Sequence, residues 1–237
     1  MRSYTRHQLK QDQFTATAAE TYSWAVEHRT KLVYGGLALA VVAAIVAGIW
    51  VYRQQQDQKA SAMLGHAMNV YSAIIRQPGD VAPPEVLTFG SNQERAKAAR
   101  PEFAAVVDKY PRTRSGQIAR YFLGLTDSQL GNTAAAENEL KQVADSAKPD
   151  LAALAKLALA DVYRAQGKDT QAIQLYRDLI DHPTNTVAKP TAQLALASVY
   201  EIKQPQDARK LYEDVQKEDP RGPAGEAAMQ RMAALKQ

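Results

Sequence analysis

Residues 32–52, LVYGGLALAVVAAIVAGIWVY, carry no formal charge between Lys31 and Arg53, whereas polar and apolar positions alternate in short runs through the rest of the chain. A bilayer-spanning helix needs about 20 apolar residues, and this stretch meets that length. Upstream, Phe14, Ala18, Tyr22 and Ala25 recur at spacings of four and three, the pattern of an amphipathic helix feeding into the span, with Trp24 and Tyr22 placed for the headgroup level. Downstream, Leu64, Ala67, Met68, Tyr71, Ile74 and Ile75 follow helical spacing with no proline before Pro78. The spacing predicts one helix from about Leu32 to Arg76, about 65 Å long, serving as span, stalk and first packing helix. Pro78, Gly79, Pro83, Pro84 and Gly90 then break it, and the Ser91–Glu94 capping-box spacing starts the next helix near Asn92.

The span is longer than the 7–15-residue core of a signal peptide and starts later in the chain, which favours an anchor over a cleaved leader. Tyr34 near one end and Trp50 and Tyr52 near the other are placed as aromatic belts. Gly36, Ala40, Ala44 and Gly48 form a small-residue stripe, a transmembrane packing face on which another helix could settle closely. Orientation follows from the flanking cations. The tail carries Arg2, Arg6, Lys10, Arg29 and Lys31, against Arg53 and Lys59 before a gap to Arg76. The expected layout is a cytoplasmic tail over 1–31, a single-pass span over 32–52, a helical stalk over 53–62 and a large domain over 63–237 outside the cytoplasm.

The large domain repeats itself. Ala99 and Phe103, Ala136 and Leu140, Ala172 and Tyr176, and Ala208 and Tyr212 are small-then-large pairs recurring every 36 or 37 positions. Between them lie three triads of common internal spacing: Leu123, Gly124 and Asp127; Leu159, Ala160 and Tyr163; Leu196, Ala197 and Tyr200. Pro111, Pro149, Pro183 and Pro220 close the units, and Gly131, Gly167 and the Gln204–Pro205 pair mark the turns within them. This pattern resembles the tetratricopeptide repeat, a helix-turn-helix unit of about 34 residues. Small residues let the helices of a unit touch, while large ones fill the seam to the next. The departures are Asp127 at an aromatic position, the lengthened units and the loop after Arg76. Ala228, Met232 and Leu235 give 225–235 the look of a capping helix. The expected fold is all-α, a tetratricopeptide-like repeat array on a single transmembrane helix.

Candidate chemistry is sparse. His7, His28, His66 and His182 are scattered, none with a second ligand at i+3 or i+4, and no metal motif, phosphate loop or nucleophile elbow is present. There is no cysteine, which rules out disulfides, thiolate metal sites and a lipidated-cysteine anchor. The net charge of +4 is spread without a basic cluster, arguing against nucleic acid. Asp161, Asp178, Asp181 and Glu201 read as helix-surface carboxylates, and Asp161 with Arg164 as an i, i+3 pair. The expectation is a non-enzyme with no cofactor, no metal and no small-molecule substrate. By analogy with the repeat's groove positions, a protein-binding groove would use Tyr121, Leu125, Ser128, Asp161, Arg164, Ser198 and Glu201, with Tyr121 and Leu125 equally readable as core.

The whole layout is similar to the YfgM-like family of bacterial inner-membrane proteins, with a short tail, one span, and a tetratricopeptide-like domain that has a proline-containing gap before its second helix. That resemblance implies an ancillary subunit of the SecYEG translocon in the inner membrane, its C-terminal domain periplasmic. The implied partners are translocon subunits, periplasmic chaperones and unfolded chains, besides the lipid bilayer. An envelope scaffold for assembly or division machinery, and a cytoplasm-facing regulator of inverted topology, are the other readings of the same architecture.

Overall fold

The computed structural model describes residues 26, 28–77 and 86–235. The amphipathic stretch of Phe14, Ala18, Tyr22 and Ala25, with Trp24, lies outside the described residues, as do Pro78, Gly79, Pro83 and Pro84 of the connecting loop. The chain divides into two units, Met1–Gln55 and Gln56–Gln237.

In the first unit the described residues are helical over most of their length. Helix α1 covers Arg29–Tyr71 in 43 residues and runs on into the second unit. It contains a window long and apolar enough to cross a membrane, by length and composition, and none of that window is buried. Val33, Leu37, Val42, Ile45 and Trp50 are all exposed, although exposed large apolar residues in such density are foreign to a water-facing helix.

The second unit is a succession of antiparallel helix pairs. After α1 come α2 (Asn92–Lys109), α3 (Arg114–Gln129), α4 (Thr133–Ser146), α5 (Pro149–Ala165), α6 (Asp169–Asp181), α7 (Lys189–Lys203), α8 (Pro205–Glu218) and α9 (Pro223–Ala234). The small-then-large pairs fall on α2, α4, α6 and α8, and all of these residues are fully buried apart from Tyr212 at 1% exposure. The triads fall on α3, α5 and α7, so each of the three units from α3 to α8 is a first helix bearing a triad and a second bearing a pair. Contact within a unit depends on the small residues. A Cβ on Gly124 of α3 would stand 2.7 Å from Leu140 Cγ of α4, inside the closest approach that packed carbon atoms adopt.

The turns follow from local chemistry. Gly131 and Gly167 have φ of +79° and +71°, a left-handed conformation that side chains disfavour, and each ends the first helix of its unit. In the next unit Gln204 is at once the C-cap of α7 and the N-cap of α8, with Pro205 at the first helical position, where its missing N–H costs nothing. Ser91 caps α2 as the sequence predicts: its side chain accepts from the Glu94 N–H at 3.1 Å. Glu94 in turn accepts from the Gly90 N–H at 2.9 Å, one residue further back than the usual capping box.

Two expectations need correction. The helix predicted to reach Arg76 stops at Tyr71, and Ile74–Ile75 (β1) instead pairs in parallel with Thr88–Phe89 (β2), Ile74 opposite Thr88 and Ile75 opposite Phe89. Two consecutive β-branched residues favour an extended backbone, and Pro78 disfavours helix in the residue before it. Pro149, read as closing a unit, opens α5 at its N-terminus. Pro101 sits inside α2, on an exposed side where the helix tolerates its missing donor.

The buried residues of the array fall into three clusters. Ala67 and Val70 of α1 join Phe103 and Val106 of α2 and Leu123 of α3 in one cluster. Tyr71, Phe103 and Phe122 meet there at centroid separations of 5.2–5.8 Å, the range of favourable aromatic pairs. A second cluster runs from Leu140 through Leu159, Tyr176, Leu196 and Tyr212 to Ala228 of α9, so α9 covers the end of the array.

Asp127 departs from the repeat's aromatic position because it is paired. It is 1% exposed, and Arg100 of α2 donates to it through Nε at 2.6 Å and Nη2 at 3.3 Å. Asn132 adds a third bond at 2.9 Å. A buried carboxylate with that partner set is satisfied.

Candidate functional site

The first helices of successive units present residues that the core does not absorb. On α5, Leu159, Ala160, Val162 and Tyr163 are buried, which leaves Asp161, Arg164 and Ala165 outward. On α7, Leu196, Ala197 and Tyr200 are buried and Ile202 and Lys203 are exposed. Between these two helices opens a cleft of about 550 Å³, lined by Asp161, Arg164 and Ala165 of α5, Asp169 at the start of α6, and Ser198, Val199, Ile202 and Lys203 of α7.

Its charged groups are fixed from beneath. The Tyr176 hydroxyl donates to Asp161 Oδ1 at 2.7 Å; beside the cleft, on a residue that does not line it, the Tyr212 hydroxyl donates in the same way to Glu201 Oε1 at 2.7 Å. Burial, and then these carboxylate acceptors, push both tyrosines well above the ordinary phenol range, so both donate as neutral phenols. Arg164 Nη1 lies 4.0 Å from Asp161 Oδ1, and Arg231 Nη1 of α9 lies 3.6 Å from Glu201 Oε1. Lys203 is tied to Asp169 at 2.6 Å. Against this paired background Ile202 is 91% exposed.

A second set of polar contacts braces the two helices of a unit. Arg120 of α3 donates to Glu139 and Gln142 of α4 at 2.9 and 2.6 Å, and Lys156 of α5 donates to Asp178 of α6 at 2.6 Å. The Lys156 hydrogen bond holds the Asp178 carboxyl below the usual carboxylate range. The equivalent position on α7 is Gln193, which is 4% exposed and whose Oε1 has no partner. Neighbouring units are linked by Lys168, which donates to Glu137 at 2.9 Å, holding that carboxyl low as well, and lies over the Tyr163 ring at 5.4 Å.

Of the groove residues expected from the sequence, Asp161, Arg164 and Ser198 come together in the cleft. Asp161 and Arg164 form the i, i+3 pair. Glu201 lies one turn along α7 from Ser198, on the Tyr212–Arg231 contact. Tyr121, Leu125 and Ser128 lie on α3 and line no part of the cleft. Tyr121 packs edge-on against Phe122 at 5.2 Å and against the central core; burial raises its phenol, and Asp161 is close enough to add to that shift. The sequence reading missed Ala165, Asp169, Val199, Ile202 and Lys203. A lone isoleucine between Glu201 and Lys203, at the helix position held by Gln129 and Ala165 in the preceding units, was the available signal. The proposed transmembrane face, Gly36, Ala40, Ala44 and Gly48, is exposed along its length, and a Cβ on Gly36 or Gly48 would meet nothing within 4 Å. A smaller recess of about 400 Å³ lies between α8 and α9, lined by Arg209, Glu213, Gln216, Met229, Met232 and Ala233. Among the described residues no three metal-ligating side chains converge.

The comparisons agree with the repeat geometry. The family model described as a tetratricopeptide repeat-like domain matches residues 23–178. No curated protein and no solved structure gives a match. Repeat-like domains of this kind serve as protein-interaction modules. The matched residues take in α1 to α5 and most of α6, and the chain belongs to the family of tetratricopeptide repeat-like domains.

Proposed function

We propose that this protein is a non-catalytic, membrane-anchored interaction module whose repeat array binds polypeptide in the cleft between α5 and α7. The observation that carries the reading is that cleft, with paired charges at its walls and Ile202 left 91% exposed in a domain whose other large apolar side chains mostly pack inward. The apolar window of α1 supports the anchor, and the small bias of Lys and Arg toward its N-terminal flank favours a repeat domain outside the cytoplasm. On the resemblance to the YfgM-like family, the site of action is the bacterial inner membrane. The partners are then the SecYEG translocon and periplasmic folding factors, with emerging chains as the cargo. The small-residue stripe from Gly36 to Gly48 is the contact offered to a membrane partner.

Affinity purification of the full chain in mild detergent, followed by identification of what remains bound, tests this assignment. Translocon subunits and folding factors are expected, with translocon recovery reduced when Gly36 and Gly48 are both changed to leucine. Recovery of division or assembly proteins without translocon subunits would replace the translocon assignment with a scaffold. A C-terminal reporter enzyme active only outside the cytoplasm checks the orientation, and an inactive fusion would reverse it.

A further inference from the structure

The turn between α2 and α3 is held by its own hydrogen bonds and turns its cations outward. The Thr113 hydroxyl donates to the Tyr110 carbonyl at 3.0 Å and accepts from the Gly116 N–H at 2.9 Å. The Ser115 N–H donates to Asp57 Oδ1 of α1 at 3.3 Å. Tyr110 and Ser115 are buried, whereas Lys109, Arg112 and Arg114 are exposed. Several other cations of the domain are tied to carboxylates, as Arg120 is to Glu139 and Lys189 to Glu218. These three have no ion pair with any described carboxylate, and set against the single Asp108 they leave residues 108–114 at a net charge of +2. The next turn of the same kind, reached through the Gln117 Nε2 bond to the Ser146 carbonyl at 3.4 Å, has Lys148 between Asp145 and Asp150 and adds no positive charge.

What such a cluster meets depends on where the chain holds it. Asp57 follows Tyr52, the last residue of the apolar stretch, by five residues, which is about 7.5 Å along a helix and at most about 18 Å for any course of the chain. Helix α1 is unbroken there. The Debye length at physiological salt is about 8 Å, so an apolar stretch that crosses a bilayer brings the turn within electrostatic reach of the headgroups. Resting on the anchor proposed above, we propose that the α2–α3 turn is a second membrane contact, taking the phosphates of anionic phospholipid headgroups through Lys109, Arg112 and Arg114. Guanidinium groups suit this contact, since each can hold a phosphate through two parallel N–H bonds. An acidic protein would offer the same charge, but it must be recruited against a loss of translational freedom, whereas the anchor supplies a bilayer at that distance throughout. Each cation at an anionic surface shifts the contact equilibrium about fivefold. A domain held at both the span and the turn loses freedom to swivel on its anchor.

The test uses the full chain, which has no cysteine of its own, with a fluorophore on Pro111→Cys. It is reconstituted in nanodiscs that contain a phosphatidylcholine with a nitroxide headgroup as quencher. One set is otherwise phosphatidylcholine, and in the other a third of the lipid is phosphatidylglycerol. Quenching should be about twofold stronger or more in the anionic discs. It should fall to the phosphatidylcholine level when salt is raised from about 50 to about 500 mM, and also in the triple variant Lys109→Gln, Arg112→Gln, Arg114→Gln. The variant Arg112→Lys with Arg114→Lys should keep it. All three side chains are exposed, so circular dichroism should show the variants folded. Equal quenching in the two bilayers, or quenching that the triple variant leaves unchanged, would overturn the headgroup contact while the anchor stands. A loss in the lysine variant as large as in the glutamine variant would assign the arginines a structural role and overturn it too. A chain that does not enter the discs would overturn the anchor, and this inference with it.

Discussion

Asp127 stands where the following units carry Tyr163 and Tyr200, and its fate shows how a single position bends a repeat to its surroundings. A carboxylate that is 1% exposed needs its cation, and Arg100, itself 42% exposed, reaches it from α2. Arg100→Met should destabilise the domain by about 2–3 kcal/mol, less than for a fully buried pair because the guanidinium is partly solvated. Adding Asp127→Leu should recover most of that loss, and chemical denaturation of both variants checks it. Gly116 is constrained differently: a Cβ there would run into the Tyr110 carbonyl oxygen. Gly116→Ala should therefore cost about 1–3 kcal/mol despite the better helix propensity of alanine, read as a melting-temperature drop of about 2–4 °C per kcal/mol for a unit of this size. At this scale the small-then-large pairs were legible, because packing imposes a period on them. The Arg100–Asp127 bond was not, because its partners sit on different helices with no local signature.

The helices owe their limits to a few punctuating residues. Gly167→Ala forces a side chain into φ of +71° and should cost about 1–2 kcal/mol, whereas the same change at Gly65 of α1, where a Cβ would meet nothing within 4 Å, should be neutral or stabilising; thermal melts of the two variants compare them directly. The sequence foretold the turn glycines, the Ser91 cap and the closing helix α9, since each follows from local backbone chemistry. It overran the end of α1, because Ile74 and Ile75 continue the apolar period and only their β-branching and the nearby Pro78 argue against helix. It also missed most of the cleft. How far α5 and α7 stand apart is a property of the assembled array, and the exposure of Ile202 depends on that separation.

In the molecule as a whole, the units contact mainly their neighbours, so polar fixings recur along the array and their titration is collective. Tyr176 and Tyr212 are raised above the ordinary value near 10. Below about pH 10 they are protonated in both states and their contribution is intact; above it the unfolded chain ionises first and stability falls. An alkaline absorbance titration should find these phenols silent until the domain unfolds, and early ionisation of all the tyrosines would contradict their burial. Asp178 and Glu137 are lowered by their lysine partners, so their contribution is present above about pH 4 and is lost as pH falls through their depressed values. These fixings leave the cleft between α5 and α7 as the place where contact is unspent, and on that the account rests. Site-specific photocrosslinking in living cells tests it most directly, with the photoreactive residue at Ile202 or Arg164 and, as control, at Lys210 on α8, whose side chain is 77% exposed and lines no part of the cleft. Adducts to polypeptides from the two cleft positions and none from Lys210 are the predicted result; equal adducts from all three, or none from the cleft, would contradict it.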